Sequence, residues 1–161
     1  MHSLPQQIET LGLMAAHEWA IAELYEEYAA RFAEHATFFR ELAAEEKEHA
    51  RLIVSFADDV RCHAVQVNPD RLSSIRILES LDNVLRRRKD AQSQQGPSLV
   101  NALSVCADLE NAMIERRYFD VIQGDGPKLA KLLRALETDS EAHRDKVRQA
   151  LASAQQAAVQ D

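Results

Sequence analysis

Apolar positions recur at spacings of three, four and seven over long stretches of the chain, and strand-like alternation is absent from the pattern. Helix breakers gather at Pro5, Asn68-Pro69, Gln95-Gly96-Pro97-Ser98 and Gly124-Asp125-Gly126-Pro127. The stretch 6–67 is too long for one globular helix, and His35-Ala36-Thr37 is the expected turn within it, with Thr37 as N-cap before Phe38 and Phe39. The pattern therefore predicts an all-α, single-domain chain. Its bundle helices cover about 5–32, 38–66, 98–122 and 127–154, with a further helix over about 70–92 and a frayed tail from about 155.

Reversal at each break sets the chain path. The second and third bundle helices come out parallel, so the 70–92 helix has to carry the chain back along the bundle. At ~1.5 Å per residue it spans roughly 33 Å, enough for that crossover.

Composition narrows the reading. The chain has 161 residues, 46% of them hydrophobic, with only four Gly and four Pro. That suits one domain with a substantial core built from long helices. The net charge of −7 argues against nucleic-acid binding by phosphate neutralisation. The one basic cluster, Arg86-Arg87-Arg88-Lys89, reads as a helix C-terminus complementing its dipole or as a docking patch. Cys62 and Cys106 form no Cys-x-x-Cys pair, and Cys106 falls on an apolar stripe. With neither a signal pattern nor an apolar stretch long enough to span a bilayer, the sequence reads as a soluble protein of a reducing, cytoplasmic compartment.

The informative positions are polar residues on apolar stripes. Glu18 sits among Leu11, Met14, Ala22, Tyr25, Ala29 and Phe32. Glu46, with His49 one turn on, sits among Phe39, Leu42, Ala50, Ile53, Ala57 and Val60. Glu110 is central to Leu99, Leu103, Cys106, Met113 and Val121, and His143 to Leu129, Leu132, Leu136, Val147 and Ala150. A carboxylate in a core is costly unless paired or bound to a metal. Facing residues of a helical hairpin are equidistant from its turn. Glu18 and His49 have their midpoint at 33–34, and Glu110 and His143 have theirs at 126–127, each at an expected turn. All of these side chains thus meet at one height. The two hairpins also read as a weak internal repeat, offset by 92–94 residues. Two iron or manganese ions require mostly oxygen ligands and one imidazole each. Helix bundles supply them as a Glu from each of two helices and Glu-x-x-His from each of the other two.

With the acid Glu18 seven residues before Tyr25, and Glu45-Glu46-Lys47-Glu48-His49-Ala50 on the second helix, the chain resembles the rubrerythrin-like branch of the ferritin-like di-iron carboxylate proteins. The resemblance covers the four bundle helices. It implies a ferritin-like four-helix bundle with an additional helix in the crossover, and metal ligands Glu18, Glu46, His49, Glu110 and His143. It also implies reduction of peroxide or oxygen, or oxidation of iron. The second half departs from the family pattern. Ser140 stands where a Glu would precede His143, leaving Asp139 as the substitute ligand. The residue seven before Tyr118 is Asn111, and Arg117 on the inner face can neutralise carboxylates without metal. Three states of the site stay open: two metals using Asp139, one metal on Glu18, Glu46 and His49, or none. Iron is the expected metal, with manganese or zinc as alternatives. Tyr25 is either a packing residue or a donor to a metal-bound carboxylate.

No Cys-x-x-Cys iron domain is attached, so a redox role needs a separate electron donor. A storage cage fits poorly, because cages use an extended strap where this chain predicts a helix. Homodimerisation is expected from the resemblance and from outward apolar positions Leu13, Leu24 and Leu52, unless those pack on the 70–92 helix. His17, Glu26, Glu27, Glu45 and Glu48 fall off the stripes, His35 lies in the turn and His63 near the edge of its stripe, and all read as structural or solvated. The alternative to redox chemistry is a non-catalytic bundle with a degenerate site, serving a structural, sensing or partner-binding role.

Overall fold

The computed structural model describes residues 2–72, 74–112 and 120–160. The chain is mostly helical, as the periodicity predicts. The first helix, α1 (Leu4–Arg31), opens on a capping box in which the Ser3 hydroxyl accepts from the Gln6 amide and the Gln6 side chain accepts from the Ser3 amide. Phe32 leaves helical geometry, and a single 3₁₀ turn (Ala33–His35) runs straight into α2 (Ala36–Arg61). Thr37 is therefore inside the first turn of α2 and is not its N-cap; no side chain caps that end. The α1–α2 hairpin is closed by Tyr28, Phe32, Phe38 and Phe39, with the Tyr28 and Phe39 rings 5.5 Å apart.

The second helix stops at Arg61 and not at 66. Its end is a Schellman turn, with Ala64 N–H donating to Asp59 O at 2.9 Å and His63 N–H to Val60 O at 3.1 Å. His63 takes the left-handed position usually given to glycine, at φ 59°. The chain then extends. β1 (Gln66–Val67) pairs antiparallel with β2 (Ile122–Gln123), a two-residue ladder that the periodicity does not mark and that leaves the chain predominantly helical. Val65 and Val67 are buried and Gln66 is exposed, a two-step alternation that is the only local trace of the strand in the sequence.

After a 3₁₀ turn at Pro69–Arg71, α3 (Ser74–Gln92) lies parallel to α1. His17 Nε2 meets Ser80 Oγ at 2.7 Å, Arg88 pairs with Glu23 at 2.6 Å, and the Gln92 amide donates to Glu27 at 2.7 Å. Half of the basic cluster is thus engaged within the chain: Arg88 here, and Arg86 with Asp82. The apolar positions offered as dimer contacts are covered from inside. Leu24 is buried in the same cluster as Val84 of α3, and Leu13 and Leu52 are half-buried against the cluster that contains Ile77 of α3.

Ser98 caps α4 (Leu99–Asn111). Ala112 leaves helical geometry with ψ 129°, so the helix expected over 98–122 is interrupted there, and its end at Ile122 belongs to β2. Met113, Arg117 and Tyr118 lie outside the described residues. The last helix, α5 (Pro127–Gln160), packs on α4 and continues through the tail expected to fray. The tail is built of Ala and Gln, both good helix formers, and Ala150, Leu151 and Ala154 pack on the core. None of the described helices is long and apolar enough to cross a membrane.

The crossover between α3 and α4 is pinned by Arg31. Its guanidinium donates to the carbonyls of Pro97 (3.1 Å), Ser93 (3.0 Å) and Ala91 (3.4 Å). Gly96 sits under this fan, and a Cβ there would lie 2.8 Å from the Asp90 carbonyl oxygen. Gly96→Ala therefore forces backbone apart and displaces Arg31. A loss of about 1–3 kcal/mol in urea unfolding is expected; an unchanged midpoint would show that the crossover is not anchored this way.

Candidate metal centre

Two apolar clusters fill the interior. One contains Ala20 to Ala29 of α1 with Phe39, Leu42 and Ala43 of α2, and the other contains Leu11, Met14 and Ala15 with Ala50, Ile53 and Phe56. Between them runs a polar layer. Glu18, Glu46, His49, Glu110 and His143 are all buried there, Glu46 completely. Each comes from the mid-stripe position that the periodicity marks, and they arrive from four helices: α1, α2 (twice), α4 and α5.

Glu46 is the centre of the layer. Its Oε2 lies 3.3 Å from His49 Nδ1 and its Oε1 lies 3.0 Å from His143 Nδ1. The two rings stack with centroids 5.5 Å apart and planes 28° from parallel. Glu110 accepts a 2.7 Å hydrogen bond from the Tyr25 hydroxyl at Oε1, and its Oε2 is 4.0 Å from His143 Nδ1. The result is two overlapping triads, Glu18-Glu46-His49 and Glu46-Glu110-His143. In each, one ligand atom per residue lies within 4.8 Å of the others.

The electrostatics follow from crowding charges in a dry space. Burial pushes Glu46 up, but hydrogen bonds involving His143, His49 and Glu18 outweigh it and hold the carboxyl below the ordinary range. His143 is opposed by its own burial, yet its bond to Glu46 and the charges of Glu46, Glu110 and Glu45 raise it to about 9. Burial and the negative charge of Glu46 raise Glu110 to about 7, against the pull of His143. Burial, then Glu110, pushes the Tyr25 hydroxyl well above its usual value, so it stays a donor. Burial also raises the Cys106 thiol, which reads as a core residue and not a nucleophile.

Other expected positions fall differently. Asp139 is exposed and belongs to neither triad. The buried stripe of α5 runs through Leu136, half-buried Ser140, His143 and Val147, and Asp139 lies to one side of that line. Arg117 is outside the described residues. Tyr25, open between packing and donation, does both: it is fully buried and bonded to Glu110. Glu45, expected to be solvated, instead reaches His143 Nε2, and Lys146 at 3.3 Å. Its signal in the sequence is no more than adjacency to Glu46. His17 is buried against Ser80 on α3, and burial lowers it to about 4 despite Glu46 nearby, so its ring is neutral. Among the other acids, Glu26 pairs with Lys47 and Glu48 with Arg51 at the surface.

Compared with protein-family models, with curated proteins and with solved structures, the chain gives no match. The chemistry of the site therefore rests on its own geometry. Three carboxylates and two imidazoles form a hard, mixed oxygen and nitrogen donor set that can hold a divalent ion. Glu110 Oε2 is buried and has no hydrogen-bond partner among the described residues, as an oxygen kept for a cation would be.

The same groups set the stability of the metal-free protein. His143 is raised from 6.5 to about 9 and Glu110 from 4.5 to about 7, so the folded state holds more protons than the unfolded chain between those limits. Stability from His143 is complete below its unfolded value and is lost as pH rises through 9. Glu110 adds a loss in the same direction below pH 7. Glu46 acts oppositely, but only in acid. With chelator present, the urea midpoint at pH 6 is expected to exceed that at pH 9, and His143→Gln flattens the difference. A midpoint that rises toward pH 9 would contradict these assignments.

Proposed function

We propose that the buried layer is a two-metal carboxylate centre on a ferritin-like bundle of the rubrerythrin-like type. The observation that carries this reading is the division of Glu46: one oxygen faces His49 and the other faces His143. A carboxylate so placed belongs to two triads at once and can bridge two cations. Glu18 and His49 would complete one position, and Glu110 and His143 the other.

Iron fits the donor set, and manganese or zinc share it. A metal pair would supply electrons and open coordination positions for peroxide or oxygen, or for oxidation of iron itself. The chain's own groups do the rest. Tyr25 holds Glu110 in one orientation through the 2.7 Å bond, and the two apolar clusters keep the layer dry. As a redox protein it would draw electrons from a separate donor, and a homodimer suits the reading.

A second reading has an observation of its own. In the metal-free state Tyr25, His49 and His143 already satisfy Glu46 and Glu110 in part. A non-catalytic bundle would use the layer to fix helix register, a documented use of buried polar groups.

Anaerobic ferrous titration of chelator-treated protein separates the two. The metal reading expects about two irons per chain, falling below one in Glu46→Ala, since both positions share that residue. Binding of less than one iron per chain by the unaltered protein overturns it. The second reading expects Glu46→Ala to shift the unfolding midpoint with no change in metal content.

A further inference from the structure

The half of the layer around His143 is short of a carboxylate. Ser140 stands one turn before His143, and Asp139 faces solvent. The acid that reaches this histidine comes from α2. His143 Nδ1 faces the layer, 3.0 Å from Glu46 Oε1 and 4.0 Å from Glu110 Oε2. On the opposite edge of the ring, Nε2 is in ion-pair contact with Glu45 Oε2. Both atoms are buried, and neither has a hydrogen-bond partner among the described residues, so each is left for the other once the ring is oriented by a metal. The other Glu45 oxygen lies 3.3 Å from Lys146 Nζ, one turn along α5 from His143. Consecutive acids of α2 thus hold the imidazole from both sides, and a lysine of α5 fixes the outer one.

We propose that Glu45 is the positioning residue of the second metal position: it accepts the Nε2–H of His143 and keeps Nδ1 turned toward Glu46 and Glu110. This rests on the two-metal reading above. Glu45 is not itself a ligand in this arrangement, because it abuts the nitrogen that points away from the triad. A carboxylate on the far N–H of a ligating imidazole fixes its tautomer and strengthens it as a donor. That compensates for the side chain absent at Ser140. Among the described residues, His49 pairs with a carboxylate only through Nδ1, to Glu46. The two positions are therefore unequal, and only one depends on Glu45. The bland account is a surface ion pair between Glu45 and Lys146 with no effect on metal.

Cobalt(II) titration of the metal-free, full-length chain distinguishes these. The unaltered protein is expected to bind about two ions, with both imidazole N–H protons visible as shifted resonances in the loaded protein. In Glu45→Ala one affinity is unchanged and the other weakens by about 10–100-fold, and the His143 N–H exchanges rapidly with solvent. Glu45→Gln keeps the shape and an acceptor but loses the charge; the second position weakens by about 10-fold, the lower end of that range, with the N–H still protected. If Glu45→Ala does not fold, the Gln variant carries the test alone. Two unchanged affinities in a folded variant, or equal weakening of both positions, overturn the positioning role and leave the two-metal reading standing. Failure of the unaltered protein to bind cobalt overturns both.

Discussion

The interior of this protein is organised by one carboxylate. Glu46 is wholly buried and is held in its ionised form, a state that costs several kcal/mol unless charge or hydrogen bonds compensate. Two histidines, one from its own helix and one from α5, approach its two oxygens separately. That requirement fixes much else. The α1–α2 hairpin must bring Glu18 level with His49, and α4 and α5 must meet with Glu110 beside His143. The apolar core is split in two to leave room for the layer.

A core divided by five ionisable groups is not the arrangement that maximises stability. Apolar side chains of similar volume would pack the same space without desolvating charge. Local rules of this kind are broken mostly at functional positions. The layer also has an internal asymmetry. Its first half takes a Glu-x-x-His pair from α2 and an acid from α1, whereas its second half lacks the corresponding acid on α5 and borrows Glu45 from across the helix interface. The crossover helix contributes by closing the side of α1: His17 meets Ser80, and Arg88 meets Glu23 and Glu27.

Much of this was legible in the sequence, for a definite reason. An acid or histidine in the middle of an apolar stripe is anomalous on its own helix, and Glu18, Glu46, His49, Glu110 and His143 each stood out that way. Equal distances from two turns put them at one height. What escaped depended on partners that periodicity does not see. Glu45 is about 100° around α2 from Glu46, and only the approach of α5 brings His143 within its reach. The β1–β2 pair is two residues long, below the length at which alternation is distinguishable from chance. Thr37 looked like a cap because the 3₁₀ turn that replaces one has no sequence signature. Asp139 looked eligible by spacing alone, but the stripe of α5 passes on its far side.

The role of the buried layer turns on whether Glu46 is shared between two cations. Crystals grown with manganese, examined by anomalous diffraction at the metal edge, test this directly. Two peaks on opposite sides of the Glu46 carboxylate, one toward His49 and one toward His143, are the result expected. A single peak, or none with the carboxylate still bonded to both imidazoles, would contradict it.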